Sequence, residues 1–219
     1  MKKIIIVGAR VDGHAKVVLE ILQKQNLYEV IGFIDDNLFG IIPEVRGCPI
    51  IGTMSDLPAL IKKYNIAGGI VAIGNNPVRR RLAEKIKSLG LLLVNAIHPT
   101  VTFDTDVKMG EGNVFCQNVT IVTGTIIGSS VNIHTGATID HDNHISDGAN
   151  IGPGVHTAGR VTIGMDAFFG TGSIAIPDAV VGEGAIVGAG AVILKSVEPY
   201  TLVAGVPAKF VKKLKKEND

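Results

Sequence analysis

Residues 137–154 read ATIDHDNHISDGANIGPG. Isoleucines stand at 139, 145 and 151, and three residues after each comes Asp142, Gly148 or Gly154, residue types that tolerate a left-handed backbone. The same spacing runs outward in both directions. Steps of six from Phe103 meet Phe103, Met109, Phe115, Ile121, Ile127, Ile133, Ile139, Ile145, Ile151, Thr157, Ile163, Phe169, Ala175, Val181, Val187 and Ile193, of which all but Thr157 and Ala175 are large and apolar. A parallel column holds Gly112, Asn118, Gly124, Gly136, Asp142, Gly148, Gly154, Asp166, Gly172, Asp178, Gly184 and Gly190. An uninterrupted six-residue period marks a parallel β-helix, in which the large aliphatic side chain points inward and the chain turns a corner near the glycine. Sixteen repeats at three per coil predict about five coils.

Before residue 97 the pattern differs. Short β-rich runs (KIIIVG, EVIGFIDD, GGIVAIG, LLLVNAI) alternate with amphipathic stretches (HAKVVLEILQKQ, SDLPALIKKY, PVRRRLAEKIKSLG). This alternation predicts a small Rossmann-like βαβ domain with a parallel sheet. Pro77 fits the first turn of its helix and Gly90 a C-terminal cap. The loop Gly8-Ala9-Arg10-Val11-Asp12-Gly13-His14 leads into the first helix without the dinucleotide or P-loop glycine signatures. Asp35-Asp36 end the second strand, and Gly74-Asn75-Asn76 follow a later one. All three segments fall at the carboxyl ends of parallel strands, where open α/β sheets bind ligands, so nucleotide binding is set against ordinary turns and caps. The expected organisation is α/β plus β-solenoid: a nucleotide-binding domain over 1–97, a β-helix over 98–198 and a tail over 199–219.

Composition narrows the function classes. The 219 residues carry 21 basic and 20 acidic side chains, a formal charge of +1, so no broad nucleic-acid footprint is expected. The apolar run near the N-terminus is too short for a signal peptide or membrane span, which predicts a soluble, cytoplasmic protein with no membrane partner. Cys48 and Cys116 lack metal-ligand spacing and read as buried thiols.

In a three-sided β-helix, residues eighteen apart stack on adjacent coils, about one strand spacing of roughly 4.8 Å apart. That stacks His141 against Gly159. His141 occupies a corner, pointing away from the aliphatic interior. It is either a surface corner residue or a general base beside a backbone donor, the pairing that acyl transfer to an amine or hydroxyl needs. Asp140 or Asp142 could hold one ring nitrogen as N–H and leave the other to accept a proton. Asp142 could equally be present because Asp tolerates the corner. His144, His156 and Asn150 fall in an outward-facing column, and His134 reads as structural. Cys116 lies about one and a half coils from His141, which argues against a cysteine nucleophile.

The repeats resemble those of the hexapeptide-repeat, left-handed β-helix acyltransferases. The whole chain, with GARVDGHAKVV, FIDD, AIGNN, IDHD, GPGV, AGRVTIG and GVPAK, resembles the sialic acid O-acetyltransferase and nucleotide-aminosugar N-acetyltransferase family. The left-handed sense is implied by this resemblance. So is a set of roles: His141 as catalytic base, Asp142 as the acid that raises its basicity, Gly159 as the amide that meets the thioester carbonyl. It also implies Asn150 at a position where some relatives place an acetyl-CoA-contacting histidine, and Thr171 and Ala189 along the pantetheine groove. Asp12, Gly13 and His14 would meet the nucleotide-sugar phosphates, Asp35 and Asp36 the nucleoside, with Gly74 and Asn75 lining the same site. Acetyl-CoA is then the cosubstrate, no metal is used, and the chain forms a homotrimer with its groove between adjacent β-helices. Outward apolar residues Val114, Ile126, Phe168, Ile174 and Val180 suit such packing.

The expected reaction is direct acetyl transfer to a nucleotide-linked 4-amino sugar in bacterial glycan biosynthesis. O-acetylation of a sialic-acid-like sugar would use the same base. Two other classes remain: a metal hydro-lyase using His141, His144 and His156 across a subunit interface, and a non-catalytic trimer that binds nucleotide sugar. The lysine-rich tail, Lys209 to Lys216, reads as a solvated helix end, with help to the CoA phosphates as the lesser alternative.

Overall fold

The computed structural model describes residues 1–11 and 13–216. They form two compact units, the first Met1–Pro99 with Glu111–Asn113, the second Thr100–Gly110 with Val114 onward.

In the first unit, β1 (Lys2–Val7), α1 (His14–Gln25) and β2 (Tyr28–Ile34) are followed by a hairpin of β3 (Glu44–Val45) and β4 (Cys48–Gly52). Then come α2 (Leu57–Tyr64), β5 (Gly68–Val71), α3 (Asn76–Ser88), β6 (Leu92–Leu93) and β7 (Ala96–Ile97). The sheet order is β3-β4-β2-β1-β5-β6. All pairs are parallel except the β3/β4 hairpin. β1 lies in the middle with β2 and β5 on either side, so the order reverses there and the loops after these three strands gather at one end. Ile5, Val7, Ile34, Leu57, Val71 and Ile86 are each at most 2% exposed in the core, each worth about 1.5–3 kcal/mol of transfer free energy. Pro77 lies in the first turn of α3, and Gly90, at φ +78°, donates to the Lys87 carbonyl to close it. The β3–β4 hairpin lies where no strand was expected.

The second unit is a three-sided left-handed parallel β-helix. Two-residue strands recur every six residues from β8 (Thr102–Phe103) through β23 (Val192–Ile193). Each pairs in parallel with the strand eighteen residues on, as in Ile121↔Ile139 and Ile139↔Thr157. The aliphatic column fills the interior: Ile121, Ile133, Ile139, Ile145, Ile151, Ile163 and Phe169 have no exposed surface. Every sixth residue from Gly112 to Gly190 has φ between +56° and +72°. These include Ser130 and Arg160 as well as the Gly, Asn and Asp positions, so the corner demands a left-handed residue even where its side chain disfavours it.

Three expectations change here. Val114 is fully buried rather than facing solvent, whereas Ile126, Phe168, Ile174 and Val180 are exposed. Asn150, assigned to an outward polar column, is 5% exposed. The lysine-rich tail is not a helix end: β24 (Thr201–Ala204) pairs antiparallel with β25 (Lys209–Lys213), aligning Val203 with Phe210. β24 continues one face of the solenoid beside Ile186–Val187, and its open edge offers the Phe210-Val211 segment ladder partners that outweigh the helix preference of lysine.

Candidate active site

His141 and Asp142 form the corner between the strands Thr138–Ile139 and His144–Ile145. Asp142 takes the left-handed position at φ +56°. The His141 side chain is 40% exposed and that of Asp142 59%, so both reach solvent from the edge of the prism. His141 Nδ1 lies 2.8 Å from Asp142 Oδ2. An ionised carboxylate can only accept, so Nδ1 carries the proton and donates, and Nε2 is left with its lone pair available. Asp140, exposed on the same corner, accepts from the His141 amide through its Oδ1 at 2.7 Å. Asp142, not Asp140, is therefore the partner of the ring.

Gly159 lies one coil on, at the equivalent corner. A methyl group added there would collide with the imidazole of His141, with Nε2 its nearest atom. The predicted stacking of His141 over Gly159 is thus realised, and Nε2 is the ring atom nearest a Cβ built on Gly159. The Gly159 amide donates to no group among the described residues, while its neighbour, the Arg160 amide, donates to the His141 carbonyl at 2.9 Å. Arg160 extends away, making a bidentate pair with Asp178 at 2.7 and 2.9 Å. That pair holds the Asp178 carboxyl below its usual range.

The other solenoid residues lie elsewhere. Thr171 and Ala189 stack eighteen residues apart on the neighbouring edge, after the strands Phe168–Phe169 and Ile186–Val187. Asn150 lies on the third face, in register between Asn132 and Phe168, and its buried Oδ1 has no hydrogen-bond partner. One chain does not bring Asn150, Thr171 or Ala189 to the His141 corner. His156 Nδ1 faces the Thr138 hydroxyl at 2.7 Å, and His144 sits on a different face. Among the described residues no three His, Cys, Asp or Glu side chains are grouped to hold a metal ion. Burial pushes the Cys116 thiol up to about 11, far from a thiolate nucleophile at neutral pH.

In the first unit the three strand-end loops do gather. Gly8 has φ +97°, and a Cβ there would lie 2.7 Å from Ile73 Cγ1, so glycine permits the β1 and β5 ends to approach. Asp35 is a fastener as much as a ligand candidate: its Oδ2 accepts from the Ala9 amide at 2.7 Å and its Oδ1 from the Asn37 and Leu38 amides. Asp36 Oδ1 accepts from the Met54 amide at 2.7 Å. Asn75 caps α3 through the Val78 amide, so the cap reading holds for its Oδ1. Gly74 has open space on its Cβ side. Gly13 precedes α1 and supplies no capping side chain, and the first turn of α1, opening at half-buried His14, has no acidic residue. Asp12 lies outside the described residues.

Two residues were missed by sequence reasoning. Arg79 of α3 is fully buried, with Nη1 3.0 Å from the Ile73 carbonyl and Nη2 3.0 Å from Asn76 Oδ1, anchoring the loop after β5. Asn143, 1% exposed, lies directly behind His141. A signal for it existed. The column one residue past each corner opens with buried Asn113 and from Val119 to Ala191 holds only Val, Thr, Ala or Ser, except at Asn143.

The chain is similar to known proteins over nearly its whole length. Residues 3–86 match the PglD N-terminal domain model. A structure of a histidine-to-asparagine variant of perosamine N-acetyltransferase from Caulobacter crescentus, in complex with CoA and GDP-perosamine, is 35% identical. The match covers 97% of this chain and 98% of that one, with a TM-score of 0.91. The acetyltransferase domain of PglB from Neisseria gonorrhoeae, in complex with acetyl coenzyme A, is 33% identical over 96% of this chain and 99% of that one, with a TM-score of 0.86. Among curated proteins, a chloramphenicol acetyltransferase of Agrobacterium fabrum is 45% identical over 56 residues, 26% of this chain and 27% of that protein. With a shared fold and over a third of residues identical across nearly the full length of both chains, this protein belongs to the hexapeptide-repeat acyltransferase family that includes the nucleotide-aminosugar N-acetyltransferases.

Proposed function

We propose that this enzyme transfers the acetyl group of acetyl-CoA to the amine of a nucleotide-linked 4-amino sugar in bacterial glycan biosynthesis, with His141 as general base. The observation that carries the reading is the placement of His141 Nε2 over Gly159, with Nδ1 committed to Asp142. The neutral amine attacks the thioester carbonyl. His141 Nε2 accepts the proton lost by the amine as the C–N bond forms. The Gly159 N–H donates to the oxyanion, a contribution of about 10²–10³ in rate for such a donor. Collapse breaks the C–S bond, and the departing CoA thiolate takes the proton from His141. The buried Cys116 has no part in this sequence.

The nucleotide portion fits the first unit: the diphosphate at the uncapped N-terminus of α1 beside Gly13 and His14, with Asp12 beyond the described residues, and the nucleoside against Asp36 and the Gly74–Asn75 loop. Asp35 has its carboxylate oxygens on three backbone amides, which makes it a support for that loop in this reading. His141 and Gly159 occupy one edge of the prism, Thr171 and Ala189 another. A groove that uses both sets is supplied by two copies packed side by side, which favours a homotrimer whose acetyl-CoA lies between neighbours. Exposed Ile126, Phe168, Ile174 and Val180 support that assembly.

The test is thiol release from acetyl-CoA with GDP-, UDP- and dTDP-linked 4-amino sugars and free sialic acid, comparing the protein with His141→Ala. Turnover of an amino-sugar nucleotide that drops about 10²-fold or more in the variant is expected. Preference for sialic acid would select O-acetylation. Tight nucleotide-sugar binding without turnover would select the non-catalytic alternative.

A further inference from the structure

We propose that Asn143 is the positioning residue that holds the His141 corner and the Gly159 amide in their mutual geometry. The inference rests on the acyl-transfer reading above.

Asn143 is nearly fully buried, and its side-chain Nδ2 donates to three carbonyls: Asp140 at 2.8 Å, His141 at 3.2 Å and Ala158 at 2.8 Å. The first two belong to the turn that carries the base. The third belongs to the peptide whose other half is the Gly159 amide. A trans peptide points its C=O and N–H in opposite directions. Drawing the Ala158 carbonyl inward to Asn143 therefore turns the Gly159 N–H outward, toward the side where His141 stands. One carboxamide thus orients the base and the oxyanion donor together across two adjacent coils.

At several other corners the first carbonyl of the turn accepts from the backbone amide three residues on, as in Ala137 to His134, Ala167 to Gly164 and Ala191 to Gly188, each at 3.2 Å. At 140–143 the bond to the Asp140 carbonyl comes from the side chain of Asn143 instead, and the Asn143 amide lies 3.4 Å from the Thr125 hydroxyl. Thr125, itself buried, adds a second donor to the Asp140 carbonyl at 3.1 Å. The arrangement carries a cost: Asn143 Oδ1 is buried and finds no hydrogen-bond partner among the described residues. An asparagine kept where the column from Val119 to Ala191 otherwise holds Val, Thr, Ala or Ser points to a geometric task at this corner.

The experiment compares Asn143→Val, Asn143→Ser and His141→Ala in melting temperature, kcat, and KM for acetyl-CoA and for the best acceptor among GDP-, UDP- and dTDP-linked 4-amino sugars. Asn143→Val takes the side-chain donor from the Ala158 carbonyl and should melt a few degrees lower, with both KM values within about twofold and kcat lower by about 10²-fold, the effect of misplacing a reacting group by roughly 1 Å. Asn143→Ser can rebuild the turn bond, as Ser173 Oγ does to the Gly170 carbonyl at 2.8 Å, but is too short to reach Ala158. It should stay at least about tenfold slow, and it carries the kinetic test if valine lowers stability. A kcat within about threefold of normal in Asn143→Val, with His141→Ala inactive, overturns the proposal. Retained activity in His141→Ala overturns the assignment of His141 as the base, on which this proposal rests. The two are further separated by a crystal structure of Asn143→Val: a rotated Ala158–Gly159 peptide supports the role of Asn143, and an unchanged peptide over an unchanged His141 refutes it.

Discussion

Gly159→Ala should slow turnover by about 10²-fold while leaving the fold intact. The nearest atoms to a Cβ at Gly159 all belong to His141: Nε2, Cε1, and Cδ2 at 3.0 Å. Ordinary van der Waals contact needs about 3.5–4.0 Å between carbons, so the ring must move by roughly 1 Å or swing away. The backbone gives no resistance of its own, because Gly159 is not among the residues with positive φ. The imidazole is the far end of a half-exposed side chain, and leaving its place forfeits an exposed hydrogen bond to Asp142 worth about 0.2–1 kcal/mol. Against this, replacing Gly by Ala at a compatible backbone position stabilises by about 0.4–1 kcal/mol through the unfolded chain. The two terms nearly cancel, and the melting temperature should shift by no more than a few degrees. Catalysis has no such compensation. A base displaced by about 1 Å from its donor costs about 10²-fold in kcat. Thiol release from acetyl-CoA, followed beside a thermal melt by circular dichroism, reads both quantities on one sample. Gly159→Ala with turnover within about threefold of normal would show that the His141–Gly159 juxtaposition is not where the reaction occurs.

Two further outcomes follow from the same contacts. Asp142→Asn keeps a residue type that tolerates the left-handed corner, so the melting curve should be preserved, while kcat falls by about tenfold or more because the amide no longer stabilises an imidazolium charge; steady-state kinetics at neutral pH reads it. Arg79→Leu leaves the Ile73 carbonyl and Asn76 Oδ1 without their guanidinium and should destabilise the first unit by about 2–4 kcal/mol in urea unfolding. Arg79→Lys should recover only part of that, because a single ammonium cannot serve both acceptors in the fork geometry.

The buried contacts at Asn143 show why some of the candidate site was hidden in the sequence. Its neighbours in the chain are Asp140 and His141, but its decisive partner, the Ala158 carbonyl, is fifteen residues away on the next coil. The oversized residue in a small-residue column was visible; what it bonded was not. Asp35 tells the reverse story. Its place at a strand end suggested a ligand contact, yet the folded loops put three backbone amides around it, and only their conformation could show that. In the tail, five lysines suggested a helix end. Local preference was overruled by an open strand edge that exists only once β24 has joined the solenoid.

By itself the sequence determined the period, the interior column, the corners and the stacking of His141 on Gly159. Each follows from a local rule repeated every six residues: an apolar side chain must be buried, and a left-handed residue must make the turn. The tertiary structure alone decided which carboxylate holds the histidine, that Asn150 is buried on a different face, and that Thr171 and Ala189 lie on another edge from the base. These depend on side-chain direction and on contacts between coils, which a one-dimensional period does not encode because many sequences with the same columns close the same prism with different hydrogen bonds across its edges.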